Sequence, residues 1–377
     1  MMAIKGVAKL PISVDTKDAL EIFALLPTVS NKLGRLEEKF NHSIVSESLI
    51  QILTLSESVE STRIEGTQVT FSDLMEEIND KNPRWEIMEV SNYQQALQHG
   101  YERIINGYPI STRLIKELHR ILMQDVRGST QSSGEFRKIQ NFIGPTNRIE
   151  DASYIPISAD KIDEYMENLE YYINGHPYDK KVAGNSIRNN TFIFDEESDS
   201  LIKTAIIHAQ FESIHPFLDG NGRLGRILII LSLLQSKLVT KPIFFVSEEL
   251  EKERARYYSL LNGVRGNNPD WGSWILFFLK ACDRMATKIN SKLNRADELA
   301  RNGLLHCKTP SERTVWLYTF SNPFTTVPVV SKFTKLSENT VRNALNSLVE
   351  KDLLFADQDV KRNKKYRNYD LMRILRD

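Results

Sequence analysis

The sequence predicts a mainly α fold with one β-hairpin near its middle and a winged-helix-like module at its C-terminal end. Three observations support it. Residues 201–214 (LIKTAIIHAQFESI) are apolar at helical spacing, and residues 224–235 (LGRILIILSLLQ) are apolar almost all round, as in a buried helix. Between residues 134 and 157 the helical period breaks. There the strand-like pairs Phe142–Ile143 and Tyr154–Ile155 flank the turn residues Gly144, Pro145 and Asn147. Beyond residue 311, helix, helix, turn and helix precede two short β-prone runs around a basic turn at residues 361–365. At 377 residues the chain has room for two or three domains and a sizeable core.

Composition narrows the class. Lys+Arg and Asp+Glu both number 49, so global charge favours no nucleic-acid partner, and any basic site must come from local asymmetry. The 41% hydrophobic and 26% charged content is ordinary for a soluble globular protein. Cys282 and Cys307 are too few and too far apart for a disulfide framework or a cysteine zinc site. The first fifteen residues lack the apolar core of a secretory signal, and no apolar run reaches membrane-spanning length. A cytoplasmic setting, with no membrane partner, is expected.

In chain order, residues 1–100 read as helices after a short extended arm, with apolar spacing at 33–40 and 46–56. Residues 58–67 (SVESTRIEGT) place Ser61 and Glu65 four apart on one helix face, and Gly66 reads as a helix stop. Residues 109–125 form an amphipathic pattern with Ser111 or Thr112 as N-cap, and His119 there reads as a packing residue. The stretch at 134–157 is a hairpin or plain surface decoration. Residues 160–173 resemble another helix. Residues 174–200 are a polar insertion, with Phe192, Ile193 and Phe194 as its anchor. Residues 254–261 and 270–281 complete a helical core in which Tyr257 and Tyr258 are most simply packing residues.

The stretch that carries chemistry is residues 215–226, HPFLDGNGRLGR. Its loop, holding Pro216, Gly220 and Gly222, ends one helix and opens the next. A helix start presents backbone N–H groups that bind phosphate well. Gly220 and Gly222 let the backbone approach an anion, and Asn221 adds a side-chain donor. Arg223 and Arg226 stand three apart, so both can face the phosphates. Asp219 offers the hard oxygen that a phosphate-bound Mg²⁺ prefers, and His215 is a base near neutral pH.

This segment resembles the signature of the Fic/Doc family, HPFxDGNGRxxR, at every specified position, and the wider resemblance covers about the first 290 residues. It implies a Fic helical core whose hairpin forms a flap, registering an extended target segment by strand addition. It also implies a Mg²⁺-dependent protein adenylyltransferase that moves AMP from ATP to a Ser, Thr or Tyr hydroxyl of a target protein, with self-modification a further outcome. In the roles so implied, His215 takes the hydroxyl proton and Asp219 holds Mg²⁺. Gly220, Asn221 and Gly222 cradle the phosphates, Arg223 supports the β-phosphate and Arg226 the γ-phosphate. Tyr257 matches a tyrosine lining the nucleotide pocket. Eight residues on, Arg265 stands where some members carry an asparagine that contacts the nucleoside. In this light Ser61, Glu65 and Gly66 match the family's inhibitory motif, S/T-x-x-x-E-G/N. The match implies that Glu65 pairs with Arg226 in the place of a γ-phosphate, as carboxylate and guanidinium chemistry allows.

The expected layout is an N-terminal helical region with the inhibitory motif (1–100), a catalytic core (101–295) and a winged-helix-like domain (296–377). Other donors (UMP, phosphocholine, a phosphoryl group) and removal of AMP remain open, although Gly222 stands where the phosphoryl-transferring branch has lysine. A nucleotide-sensing DNA-binding regulator is the alternative from another class, and an intact His215 and Asp219 favour the enzyme. DNA binding by the helix carrying Asn339, Thr340, Arg342 and Asn343 stands beside protein docking or homodimer formation. Glu338 and Glu350 on that helix keep both open.

Overall fold

The computed structural model describes residues 3–77, 84–124, 133–146, 148–178, 190–357 and 364–376. Its helices are α1 (Thr16–His42), α2 (Ser46–Ile64), α3 (Phe71–Glu77), α4 (Trp85–Ile105), α5 (Thr112–Leu122), α6 (Ile162–Ile173), α7 (Ser200–Ile214) and α8 (Asn221–Gln235). They continue as α9 (Ser247–Lys252), α10 (Arg254–Gly263), α11 (Trp271–His306), α12 (Pro310–Tyr318), α13 (Val327–Thr334), α14 (Glu338–Glu350) and α15 (Tyr369–Arg376). The strands are short: β1 (Ile4–Lys5), β2 (Ile12–Asp15), β3 (Tyr154–Ile155), β4 (Thr191–Phe194), β5 (Phe324–Thr325), β6 (Phe355–Ala356) and β7 (Tyr366–Arg367). The fold is mainly α, as the helical periodicity requires.

Residues 1–34, 57–69 and 83–285 form one compact unit, and residues 35–56, 70–82 and 286–377 another. The first hundred residues therefore do not stand as a unit of their own, because α1 and α2 each contribute to both.

In the larger unit α7 and α8 pack on each other at the centre, with α4 against α8, α5 against α4 and α6 against α7. Both central helices are buried over nearly their whole length, which is why neither shows a polar face. Close approach of α4 depends on Gly100, where a Cβ would lie 2.6 Å from Leu231 Cδ1. The N-terminal arm is structural. β1 pairs in parallel with β3, and β2 runs antiparallel to β4 with Ile12 opposite Phe194. The Phe192–Phe194 run, the expected anchor of the insertion, is thus a strand paired with the N-terminal arm. Among the described residues the hairpin at 134–157 is held by one antiparallel bridge, Ile143 to Tyr154. Ile143 N donates to Tyr154 O (2.8 Å) and Tyr154 N to Ile143 O (3.1 Å). Its turn residue Asn147 lies outside the described residues, as do residues 179–189 of the polar insertion.

In the smaller unit α12, α13 and α14 pack together beside a three-stranded sheet of order β5-β7-β6. Thr309 and Glu312 form a capping box on α12, and Ser337 caps α14 by accepting from Thr340 N (3.2 Å), as its position predicts. Residues 361–363 of the basic turn lie outside the described residues. Residues from the chain's start belong to this packing: Asp297 accepts from Ser43 Oγ and Ile44 N, and Arg376 donates to Ser72 Oγ. Among the described residues no helix is long and apolar enough to cross a membrane.

Candidate active site

The site begins where α7 ends. His215 adopts a left-handed conformation (φ 50°, ψ 60°), which costs a non-glycine residue about 1–2 kcal/mol and must be held by its surroundings. Two buried arginines hold it. Arg137 donates its backbone N–H to Pro216 O (2.9 Å) and its Nε to His215 O (2.9 Å), and its other nitrogens bond Ile139 O and Ile157 O. Arg265 donates to Glu212 O (3.1 Å) and Ser213 Oγ (3.2 Å), and its guanidinium carbon lies 4.0 Å from the centre of the Tyr154 ring. The Tyr154 hydroxyl in turn donates to Ser213 O (2.7 Å). Arg265 is here a brace for the histidine turn. Burial, then the charges of Arg265 and Arg137, push the His215 imidazole down to about 4, so it is neutral at pH 7. Its Nδ1 has no hydrogen-bond partner among the described residues.

The loop that follows is shaped from within. Asn221 Oδ1 accepts from Phe217 N (3.0 Å) and its Nδ2 donates to Phe217 O (2.9 Å). This corrects the expectation of a phosphate-facing side-chain donor: the Asn221 amide closes the loop, leaving its backbone N–H for an anion. Gly220 is left-handed (φ 75°), and Met123 Sδ would stand 2.8 Å from a Cβ there. His119 stacks on Phe217 with ring centres 3.8 Å apart. Its Nδ1 accepts from Gly134 N (2.9 Å), so its Nε2 donates to Asp219 O (3.0 Å). His119 is a packing residue, as its sequence setting suggests.

Asp219 keeps its carboxylate 61% exposed, with one oxygen accepting from Gly220 N. Among the described residues no group of three or more His, Cys, Asp or Glu side chains could hold a metal unaided. One exposed hard oxygen beside an anion cradle fits Mg²⁺, which keeps water and phosphate oxygens as its other ligands.

The first two turns of α8 point both arginines at carboxylates. Arg226, 1% exposed, donates from Nη2 to Glu65 Oε1 (2.8 Å) and to Ser61 O (2.9 Å), and from Nε to Ser61 Oγ (2.8 Å). Its Nη1 has no partner among the described residues. A Cβ on Gly222 would collide with Glu65 Oε1. The carboxylate therefore lies against the glycine at the helix start, where backbone N–H groups and the helix dipole favour an anion. Burial pushes the Glu65 carboxyl up, but Arg226, with smaller help from Arg223, outweighs it and holds the group below its ordinary range. Glu65 ends the segment that α2 delivers, and Gly66 follows in a positive-φ turn (99°). Ser61 serves Arg226 through both its hydroxyl and its carbonyl.

The two adjacent tyrosines of α10 differ in position. Tyr257 is 1% exposed, with its hydroxyl 2.8 Å from His208 Nε2, so it belongs to the core. Its half-exposed neighbour Tyr258 donates to Ile64 O (3.3 Å), next to Glu65. No local pattern marks Arg137, Glu89, Glu57 or Glu212, which lie far apart along the chain. Glu57 accepts from Ser247, and Glu212 has one oxygen without a partner among the described residues. Burial pushes both carboxyls up to about 7.

Comparison with known proteins points to one family. The Fic/DOC family model matches residues 109–233, and the model of that family's N-terminal region matches residues 23–102. A probable protein adenylyltransferase of Aquifex aeolicus is 23% identical over 269 residues, covering 70% of this chain and 72% of that protein. The protein adenylyltransferase Fic of Drosophila grimshawi is 24% identical over 176 residues, 46% of this chain and 29% of the fly protein. In fold, the chain is similar to a Fic family protein of Desulfovibrio desulfuricans (TM-score 0.55, 21% identity, covering 92% of this chain and 95% of that one). A Fic domain-containing signalling protein of Bacteroides thetaiotaomicron matches with TM-score 0.51 and 18% identity, over 71% of this chain and 98% of that one. Matched by these two models over residues 23–102 and 109–233, with HPFLDGNGRLGR leading into α8, the chain belongs to the Fic/DOC family.

Proposed function

We propose that this chain is a self-inhibited protein adenylyltransferase that moves AMP from ATP to a Ser, Thr or Tyr hydroxyl of a target protein. The observation that carries it is the Glu65 carboxylate lying on Gly222 and bonded to Arg226. An oxyanion occupies the helix-start cradle, in the place a γ-phosphate would take.

Once Glu65 withdraws, Arg226 is free to hold the γ-phosphate, and Arg223 lies one helical turn away for the β-phosphate. The backbone N–H groups of Asn221 and Gly222 face the bridging region. The neutral His215 imidazole accepts the proton of the target hydroxyl as its oxygen bonds to the α-phosphorus. The bond to the bridging oxygen breaks, and pyrophosphate leaves. Asp219 would hold Mg²⁺, which when bound neutralises phosphate charge. Most of the acceleration on this scheme is positioning and charge stabilisation. A cytoplasmic setting accords with two buried thiols, Cys282 and Cys307.

For the smaller unit we assign partner binding to α14, whose Asn339, Arg342 and Asn343 are exposed, with a winged-helix-like use on DNA as the form to test. The reaction is tested by incubating Glu65→Gly protein with each labelled nucleoside triphosphate and a cell lysate, followed by peptide mass spectrometry. Hydroxyl-linked AMP from ATP is the expected product. Label from UTP alone would replace the donor, and no label from any triphosphate would end the transferase assignment.

A further inference from the structure

Both arginines of the signature face a carboxylate, but the two carboxylates are held differently. Glu65, paired with Arg226, is 36% exposed and lies directly past the end of α2. Glu89, on α4, is 9% exposed, and its Oε1 lies 3.1 Å from Nη1 of Arg223. Its other oxygen accepts from Thr67 Oγ1 at 2.7 Å. Thr67 is buried two residues past Glu65, and its backbone N–H bonds Thr62 O in α2 (3.2 Å). Arg223 itself is 4% exposed, with Met123 Sδ 3.6 Å and Asp219 Oδ1 3.8 Å from its Nη2. The α4 helix packs on α8 in the core, which fixes Glu89 beside Arg223.

We propose that Glu89 positions Arg223 for the phosphates and, through Thr67, ties that arginine to the segment carrying Glu65. Glu89 touches no reacting atom and acts through Arg223. The role rests on the transferase reading above and extends it: one arginine is blocked by an exchangeable carboxylate, the other aimed by a fixed one. Simple electrostatics argues the opposite sign for substrate binding. Removing a negative charge near a triphosphate favours its binding, whereas losing the alignment of a phosphate-holding arginine slows the chemical step.

The test uses the full chain with Mg²⁺, measuring initial AMP transfer across ATP concentrations in a Glu65→Gly background. Glu89→Gln should lower kcat about 10- to 100-fold with KM unchanged or reduced. In an Arg223→Ala background the same substitution should cost nothing further, because the group it aims is gone. Thr67→Val, which removes only a hydroxyl, should give a smaller loss that also vanishes without Arg223. Full activity in Glu89→Gln, a loss confined to KM, or equal losses with and without Arg223 would overturn the assignment. Should Glu89→Gln fail to fold, Thr67→Val decides: unchanged kcat overturns the tie to the inhibitory segment, and a loss that persists without Arg223 makes the role purely structural. Absence of AMP transfer by Glu65→Gly itself removes the transferase reading and this role with it, an outcome distinct from an active Glu65→Gly that is indifferent to Glu89.

Discussion

At the scale of single residues, the site is set by which groups are buried beside which charges. His215 sits between Arg137 and Arg265 and is held neutral, its pKa pushed down to about 4. His215→Ala should therefore abolish transfer yet leave ATP binding largely intact, since the imidazole acts on the target hydroxyl. NMR titration of His215 should show a midpoint well below the ordinary 6.5, and a midpoint at or above that value contradicts the bracing account. Glu212 moves the other way, pushed up to about 7 by burial. A carboxyl raised in the folded state contributes stability below its unfolded pKa and loses it as pH rises through the folded value. We expect Glu212→Gln to be stabilised relative to the native chain at pH 8 and little changed at pH 5, read as melting temperature at each pH. Ser61 bonds Arg226 through its hydroxyl and its carbonyl. Ser61→Ala loses only the first bond, so it should raise labelling less than Glu65→Gly does.

At the scale of elements, the positive φ of Gly66 (99°) turns the chain directly after Glu65. An alanine there is strained by about 1–2 kcal/mol, so Gly66→Ala should loosen the segment and raise basal labelling. Labelling equal to the native chain would mean that the turn does not hold the glutamate. The central helices, the signature loop and the motif at Ser61–Gly66 were all legible in the sequence, because each depends on neighbours within a few positions. The same holds for the caps at Ser111, which accepts from Leu114 N, and at Ser337. Long-range pairing was not legible. β1 finds β3 about 150 residues away, and β2 finds β4 across nearly 180. Arg137 and Arg265 look like ordinary surface charges until they are buried around the His215 turn, and Glu89 does until α4 buries it beside Arg223. Tyr257 and Tyr258 show the finer limit: adjacent positions, one turned into the core and one toward Glu65, with only the packing of α10 to choose between them.

At the scale of the whole molecule, residues near the start and the end of the chain share the smaller unit. Lys292 donates to Leu375 O (2.6 Å), and Arg376 reaches Ser72. A chain ending near Arg301 should therefore lose stability in that unit, although no signature residue lies beyond Arg226. Circular dichroism melting of the shortened chain checks this, and an unchanged melting curve would contradict it. If α14 binds DNA, Arg342→Ala should weaken binding, and affinity should fall steeply with added salt. Salt-independent binding, or none to any duplex, would favour a protein partner. The central claim is that Glu65 holds the whole enzyme off by occupying the phosphate cradle with Arg226. The measurement that tests it most directly is the initial rate of labelling from ATP with Mg²⁺ for the native chain, Glu65→Gly, and Glu65→Gly with Arg226→Ala. Glu65→Gly should be faster by about 10²-fold, the scale of a misaligned phosphate, and the second substitution should remove the gain. Equal rates for the native chain and Glu65→Gly would contradict the claim.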